Sequence, residues 1–267
     1  MPQKILFSDI DGTLLNAERE LSEKTIAEIQ RIKDKMPVIL ISSRMPSAMY
    51  HLQKVLDIER QPIICYNGGL ILVDRKPVLT TMIPVGTVKE LYEFSLRNPF
   101  HISLYNEDDW HVPEMDFWAT REMNNTKVTP KIQPIHHTIN EWKVTHKGAH
   151  KIMCMGDPKV LDRVYDFLDK RFETELHLYR SKPTYIEIAS SKISKLTAIE
   201  YLLENHFNDS IDNVVAFGDN YNDISMLTSV GMGVAVANAK PEVLKIADHI
   251  TLSGKEDGVA KYIKDHL

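Results

Sequence analysis

The chain has 267 residues, 43% of them hydrophobic, and a formal net charge of -5, enough apolar content for one large core or two modest ones. Its lysines and arginines are dispersed, so there is no basic stripe for a nucleic-acid backbone, and no apolar stretch approaches the roughly 20 residues that span a bilayer. The N-terminus runs at once into "KILFSD" without a basic-then-apolar leader; the expectation is a cytoplasmic monomer or homodimer whose partners are small molecules, not nucleic acid or membrane.

In chain order, "KILFSD" reads as a short apolar strand that ends on Asp9, with Asp11 two residues on. The segment "SEKTIAEIQRIKDK" reads as a helix with Ser22 as N-cap and Ile26, Ile29 and Ile32 on one face. "PVILIS" is a second buried strand, "SAMYHLQKVLD" a helix with Met49, Leu52, Val55 and Leu56 inward, and "PIICYN" a third strand. There the rhythm changes. "NGGLILVDRKPVLTTM" reads as a hairpin, and residues 85–187 mix single helices with strand pairs such as "HISLY" and "WHV". This stretch holds Trp110, Trp118 and Trp142, expected in a core, and His136 and His137, expected in a loop. Alternation resumes with the strand "TYIEIAS", the helix "SKLTAIEYLLENH", the strand "NVVAFGD", the helical "NDISMLTSV" and the strand "GMGVAVAN".

Strand and helix alternating at both ends predicts an α/β fold, a mostly parallel sheet flanked by helices and interrupted by an α+β insertion. The expected domains are a discontinuous core of residues 1–84 and 188–267 and an inserted domain of residues 85–187, with Pro84 and Pro183 near the crossings. Cys65 and Cys154 lie inside predicted strands without metal-ligand spacing and read as buried free thiols.

In such a sheet, ligands bind beyond the carboxyl ends of the strands. Three strands end in polar residues suited to that edge: one delivers Asp9 and Asp11, one Ser42 and Ser43, one Asp219 with Asn222 and Asp223 close behind. Crowded carboxylates repel unless a cation or protons intervene. The candidate ligands are all oxygens, which favours a hard ion, Mg²⁺, over zinc. "DGT" and "SSR" follow strands and offer backbone N–H groups and hydroxyls to an anion. Lys195, at the start of a predicted helix, is placed to balance a carboxylate and a phosphoryl oxygen, with Lys192 the alternative. A carboxylate nucleophile, a second carboxyl for proton transfer, a metal ion and donors for the transferring group together point to covalent phosphoryl transfer. Asp9 would attack phosphorus, and Asp11, initially protonated, would serve the leaving alcohol.

With these residues in hand, the chain resembles the haloacid dehalogenase superfamily, and in particular its Cof-type phosphatases, which carry a large α/β cap after the second motif. "DIDGTLL" is similar to the first motif, "ISSR" to the second, Lys195 to the third and "GDNYNDISML" to the fourth. The resemblance implies a Rossmann-like three-layer core, a cap that closes over the site, and a small phosphorylated metabolite, such as a sugar phosphate, as substrate. It also implies a metal held by Asp9, the backbone carbonyl of Asp11, and Asp219, with Asp223 supporting that site. Phosphate or substrate contacts are implied for Ile10, Ser42, Ser43, Asn67, Gly68, Lys195 and Asn222. Ser43 stands where the family commonly has glycine, and Leu196 where it has a small residue. Arg44 reads as a packing or ion-pair residue. A phosphosugar mutase of the same superfamily, a phosphoacceptor signalling module and a catalytically silent sugar-phosphate sensor are the rival readings; intact Asp9 and Asp11 argue against the last.

Overall fold

The structure, a computed structural model, describes residues 4–267, apart from the side chain of Ser181. It divides into two compact units, one formed by the described residues up to 44, 49–79 and 194–267, the other by residues 45–48 and 80–193.

In the first unit, β1 (Ile5–Ser8), α1 (Glu23–Ile32), β2 (Val38–Ile41), α2 (Ser47–Leu56) and β3 (Ile63–Cys65) alternate as expected, and β4 (Leu70–Val73) and β5 (Lys76–Thr80) form the hairpin. Its turn residues Asp74 and Arg75 both have positive φ, the backbone that a two-residue hairpin turn requires. β1 and β2 are buried at every position and apolar at all but Ser8, as strands of a parallel sheet covered on both faces must be. In α1, Ser22 accepts from the Thr25 N–H, and Ile29 and Ile32 are buried.

The second unit begins with α3 (Val85–Ser95), β6 (His101–Asn106), β7 (Asp109–Val112), α4 (Phe117–Thr126) and β8 (Lys131–Ile132). It continues through α5 (Ile135–Thr145), β9 (Lys151–Met155), α6 (Pro158–Phe172), β10 (Leu176–Lys182) and β11 (Tyr185–Ser190). Its sheet runs β10-β11-β9-β6-β7-β8, antiparallel except for β7 and β8. One face, with Ile102, Leu104, Ile152, Cys154, Ile186 and Ile188, packs on apolar residues of α3, α5 and α6. Trp110 and Trp142 are buried and Trp118 is half-buried.

The chain then returns to the first unit with α7 (Lys195–Leu202), β12 (Val214–Gly218), α8 (Ile224–Ser229), β13 (Met232–Val236), α9 (Pro241–Ile246), β14 (His249–Thr251) and α10 (Gly258–His266). The eight-stranded sheet runs β14-β13-β12-β1-β2-β3-β4-β5, parallel from β14 to β3, with β4 antiparallel to β3. The order reverses between β1 and β12, and that switch point opens a crevice at the carboxyl ends of both strands.

Several expectations are corrected. "TYIEIAS" is not a core strand: β11 pairs antiparallel with β9 and β10, its alternating burial marking a sheet with only one face in the core. The division accordingly falls at Thr80 and Ile193, a few residues outside the expected 85–187. Val55 is 46% exposed, because Met49, Leu52 and Leu56 already fill the inner face of α2. His136 and His137 stand in the first turn of α5, not in a loop, with Pro134 as the residue that starts it. Cys65 and Cys154 are buried thiols that form no disulfide among the described residues, and among the same residues no helix is long and apolar enough to cross a membrane.

His150 is a buried polar joint of the second unit. The Glu107 N–H donates to its Nδ1 at 3.0 Å, so Nε2 carries the proton and donates to Thr80 Oγ1 at 2.8 Å. Burial, with Lys147 adding, pushes its pKa down from 6.5 to about 4. The unfolded chain therefore takes up this proton before the folded one does, and stability falls as pH drops from 6.5 toward 4. The loss expected between neutral pH and pH 5 is about 2 kcal/mol; denaturant titrations at both pH values should show a smaller difference for His150→Gln than for the parent.

Candidate active site

Asp9 follows β1 directly, and its N–H donates to Phe217 O of β12 at 3.0 Å, so the first and fourth motifs meet across the switch point. The residue is 6% exposed. Oδ1 accepts from the Lys195 ammonium at 2.5 Å, and Oδ2 is buried with no hydrogen-bond partner among the described residues. Lys195 is fully buried as the first residue of α7, and it also donates to Asp223 Oδ1 at 2.6 Å. A cation at a helix N-terminus opposes the helix dipole, so the two carboxylates are what hold it there. Burial alone would lower the Lys195 pKa, and Asp223 and Asp9 reverse this, keeping the ammonium charged. Lys192 is exposed, which decides between the two lysines.

Asp223 sits in the short helical turn after β12. Its Oδ2 accepts from the N–H groups of Asp219 and Asn220 at 2.9 and 3.0 Å, so it fixes the backbone that carries Asp219 as well as the lysine. Asp219 Oδ1 accepts from Thr13 Oγ1 at 3.2 Å. Burial raises Asp9 from 3.8 to about 8, with Lys195 opposing and Asp223 and Asp219 adding. Burial likewise lifts Asp219 to about 6, with Asp223 adding. Burial is the main cause of both rises, and an excess of negative charge adds to it, since three carboxylates face one ammonium.

Oxygen atoms of Asp9, Asp219 and Asp223 lie within 4.8 Å of one another. The donor set is all oxygen, one buried Asp9 oxygen lacks a partner, and the deficit is two charges, so the residues fit a hard divalent cation. Asp9 and Asp219 have the freer oxygens, since Asp223 is largely satisfied by protein donors.

Asp11 stands outside this cluster. Its half-exposed carboxylate accepts from Arg44 Nε at 2.7 Å and Arg44 Nη2 at 2.8 Å, and from Arg19 Nη2 at 2.9 Å. Arg44 is thus an ion-pair residue. Ser42 is buried after β2; its Oγ accepts from the Arg44 N–H, and its carbonyl accepts from the Asn67 N–H at 2.9 Å. Asn67 Oδ1 in turn accepts from Asn222 Nδ2 at 3.0 Å, which joins the second motif, "YNGG" and the fourth motif. Ile10 is buried and Ser43 half-buried beside them.

Three contributors escaped the sequence reading. Gly12 has φ +94, and a Cβ there would stand 2.4 Å from Asp219 Oδ2. Asn238, in the loop after β13, donates to the Gly12 carbonyl at 2.9 Å; as another polar residue just past a parallel strand, it carried the same signal as Ser42. Arg19 has no such signal.

A model of the haloacid dehalogenase-like hydrolases matches residues 6–263. The chain belongs to that family. It is 31% identical to the 5-amino-6-(5-phospho-D-ribitylamino)uracil phosphatase YcsE of Bacillus subtilis, over 98% of this chain and 94% of the relative. It is 27% identical to the pyridoxal phosphate phosphatase YbhA of Escherichia coli over the full length of both. The crystal structure of a haloacid dehalogenase-like hydrolase from Bacteroides thetaiotaomicron superposes with a TM-score of 0.89 at 30% identity, covering 98% of each chain. The protein is a phosphatase of the Cof type.

Within this phosphatase, Gly68 positions the lysine. It has φ +107, and a Cβ would meet the Ser194 carbonyl at 2.5 Å; Ser194 caps α7 immediately before Lys195. Gly68→Ala should therefore cost about 1–3 kcal/mol of stability and lower phosphate release at least tenfold. Gly86→Ala, where the added methyl meets nothing within 4 Å, is the control and should be neutral or stabilising in the same two assays.

Proposed function

We propose that this phosphatase is Mg²⁺-dependent and hydrolyses small phosphorylated metabolites, sugar phosphates foremost, through an aspartyl-phosphate on Asp9. The observation that carries the reading is the buried Asp9 Oδ2, without a hydrogen-bond partner among the described residues, beside a carboxylate oxygen already held by Lys195. Asp9 and Asp219, with the Asp11 carbonyl that the family resemblance implies, would hold Mg²⁺; when bound, it offsets the cluster's negative charge and that of the transferring group.

The chain's own residues divide the work. A carboxylate oxygen of Asp9 forms the new bond to phosphorus as the ester P–O bond breaks, and the leaving oxygen takes a proton from Asp11. Water then attacks the aspartyl-phosphate and gives its proton to Asp11, restoring Asp9 and releasing inorganic phosphate. Lys195 offsets the charge gathering beside it, and Ser42, Asn67 and Asn222, already joined to one another, line the same edge. Asp223 holds Lys195 and the Asp219 backbone in place.

The substrate class draws on the metabolite ring or polyol named for the two relatives and on the cap-bearing architecture. The reading also includes a cytoplasmic location, the compartment in which buried thiols such as those of Cys65 and Cys154 stay reduced. The test is phosphate release from sugar phosphates, pyridoxal phosphate and p-nitrophenyl phosphate, with and without Mg²⁺. The parent should release phosphate only with the metal, and Asp9→Asn should lose at least 10³-fold. Rapid-quench mass spectrometry should find the parent phosphorylated on Asp9. Isomerised sugar phosphate without release would instead identify a mutase, and metal-independent release would overturn the cation assignment.

A further inference from the structure

The loop after β13 reaches both sides of the cluster around Asp219. Its Lys240 N–H donates to the Asp219 carbonyl at 2.8 Å, and its Asn238 Nδ2 donates to the Gly12 carbonyl at 2.9 Å. One short turn thus grips the fourth motif at one end and the first motif at the other. We propose that Asn238 is a positioning residue that sets the gap between Asp219 and the first-motif backbone, and with it the affinity for the divalent cation. The proposal rests on the cation reading given above.

The hydrogen bonds leave the Asn238 amide one orientation. Its Oδ1 accepts from Ser253 Oγ and from the Gly254 N–H, both at 2.8 Å. A backbone N–H can only donate, so the atom facing it is the oxygen, and the NH₂ group is turned to the Gly12 carbonyl. The loop itself is closed by the Ala239 N–H, which donates to the Val236 carbonyl at 2.9 Å. Asn238 is exposed, where water could serve its amide, but three protein partners hold it instead.

The backbone that Asn238 holds borders the candidate ligands. A Cβ on Gly12 would collide with Asp219 Oδ2, so the Gly12 backbone lies directly against that carboxylate. The next residue, Thr13, donates from Oγ1 to Asp219 Oδ1 at 3.2 Å. Gly254 presses on the same segment: a Cβ there would stand 2.6 Å from the Thr13 carbonyl and 2.7 Å from the Gly12 carbonyl. A glycine joins its two peptide planes with little resistance to rotation. With the Gly12 carbonyl pinned, the peptide on its other side, which carries the Asp11 carbonyl, has less freedom to turn. Asn238 therefore restrains two groups that the cation would use: the Asp219 carboxylate through its neighbours, and the Asp11 carbonyl through the shared glycine.

The measurement is Mg²⁺ binding to the metal-free protein, by calorimetric titration without substrate, beside denaturant unfolding of the same samples. Asn238→Ala removes the donation to Gly12. Ser253→Ala is the control: it disturbs the same loop by removing the bond to Asn238 Oδ1 and the one accepted from the Lys255 N–H, and it leaves the Gly12 contact in place. Both variants should unfold at lower denaturant than the parent. Asn238→Ala should bind Mg²⁺ about tenfold more weakly, the lower end of what losing a partner behind a metal ligand costs, and Ser253→Ala should stay within about twofold of the parent. Equal weakening in both variants would overturn the proposal, since anchoring of the loop and not the bond to Gly12 would be the cause. Parent-like affinity in Asn238→Ala would overturn it too and leave the cation reading standing. A parent that takes up no Mg²⁺ would overturn the cation reading, and the positioning role with it.

Discussion

A buried ammonium between two buried carboxylates is the constraint around which the catalytic core is arranged. Lys195 has no access to water, and an unpaired charge in that place would cost more than a domain of this size can spare. Asp9 and Asp223 therefore have to stand where they do. Through them the start of α7 is tied to the end of β1 and to the turn after β12, so three segments distant in the chain share one electrostatic requirement. The same arrangement explains the glycines nearby: Gly68 lets one turn lie against the cap of α7, and Gly12 lets another lie against Asp219.

Two carboxylates separated by a single residue are given opposite surroundings. Asp9 is enclosed, with one oxygen on an ammonium and one without a partner, whereas Asp11 is half in water between two guanidinium groups. Environment assigns their roles, as it does in other enzymes that run two carboxyl groups from one site. Asp223 illustrates the reverse case. Its carboxylate is spent on the Lys195 side chain and two backbone N–H groups, so its contribution is to hold other groups in position.

What was legible in the sequence follows from periodicity and from where it stops. Apolar runs that end on Asp9, Ser42 and Asp219 announced buried parallel strands with polar ends at one edge, and the Ser22 N-cap and the faces of α1 announced a helix. "TYIEIAS" was misplaced because a short alternating run carries no mark of which sheet it joins; only its pairing with β9 and β10 settles that. Val55 has the composition of a core residue and lies one position away from the buried face. Arg19 was invisible for a different reason: its contact with Asp11 depends on a left-handed residue inside an Asn-closed turn, and such a turn leaves no periodic trace. Spacing in the fourth motif likewise could not say whether Asp223 faces an ion or the backbone.

The way the chain leaves and re-enters the core has a consequence for how freely this enzyme can vary. Before the excursion, Gly68 touches the Ser194 carbonyl and the Val78 carbonyl accepts from Tyr201 Oη at 2.8 Å; Ser194 and Tyr201 both belong to the segment that follows it. The departing and returning strands of chain are thus stapled to each other by core residues alone. Because the entropy of closing a loop grows only logarithmically with its length, the core is nearly indifferent to how much polypeptide is spliced between those staples. Lineages can lengthen, shorten or rebuild the intervening sequence while the lysine and its carboxylates stay in register.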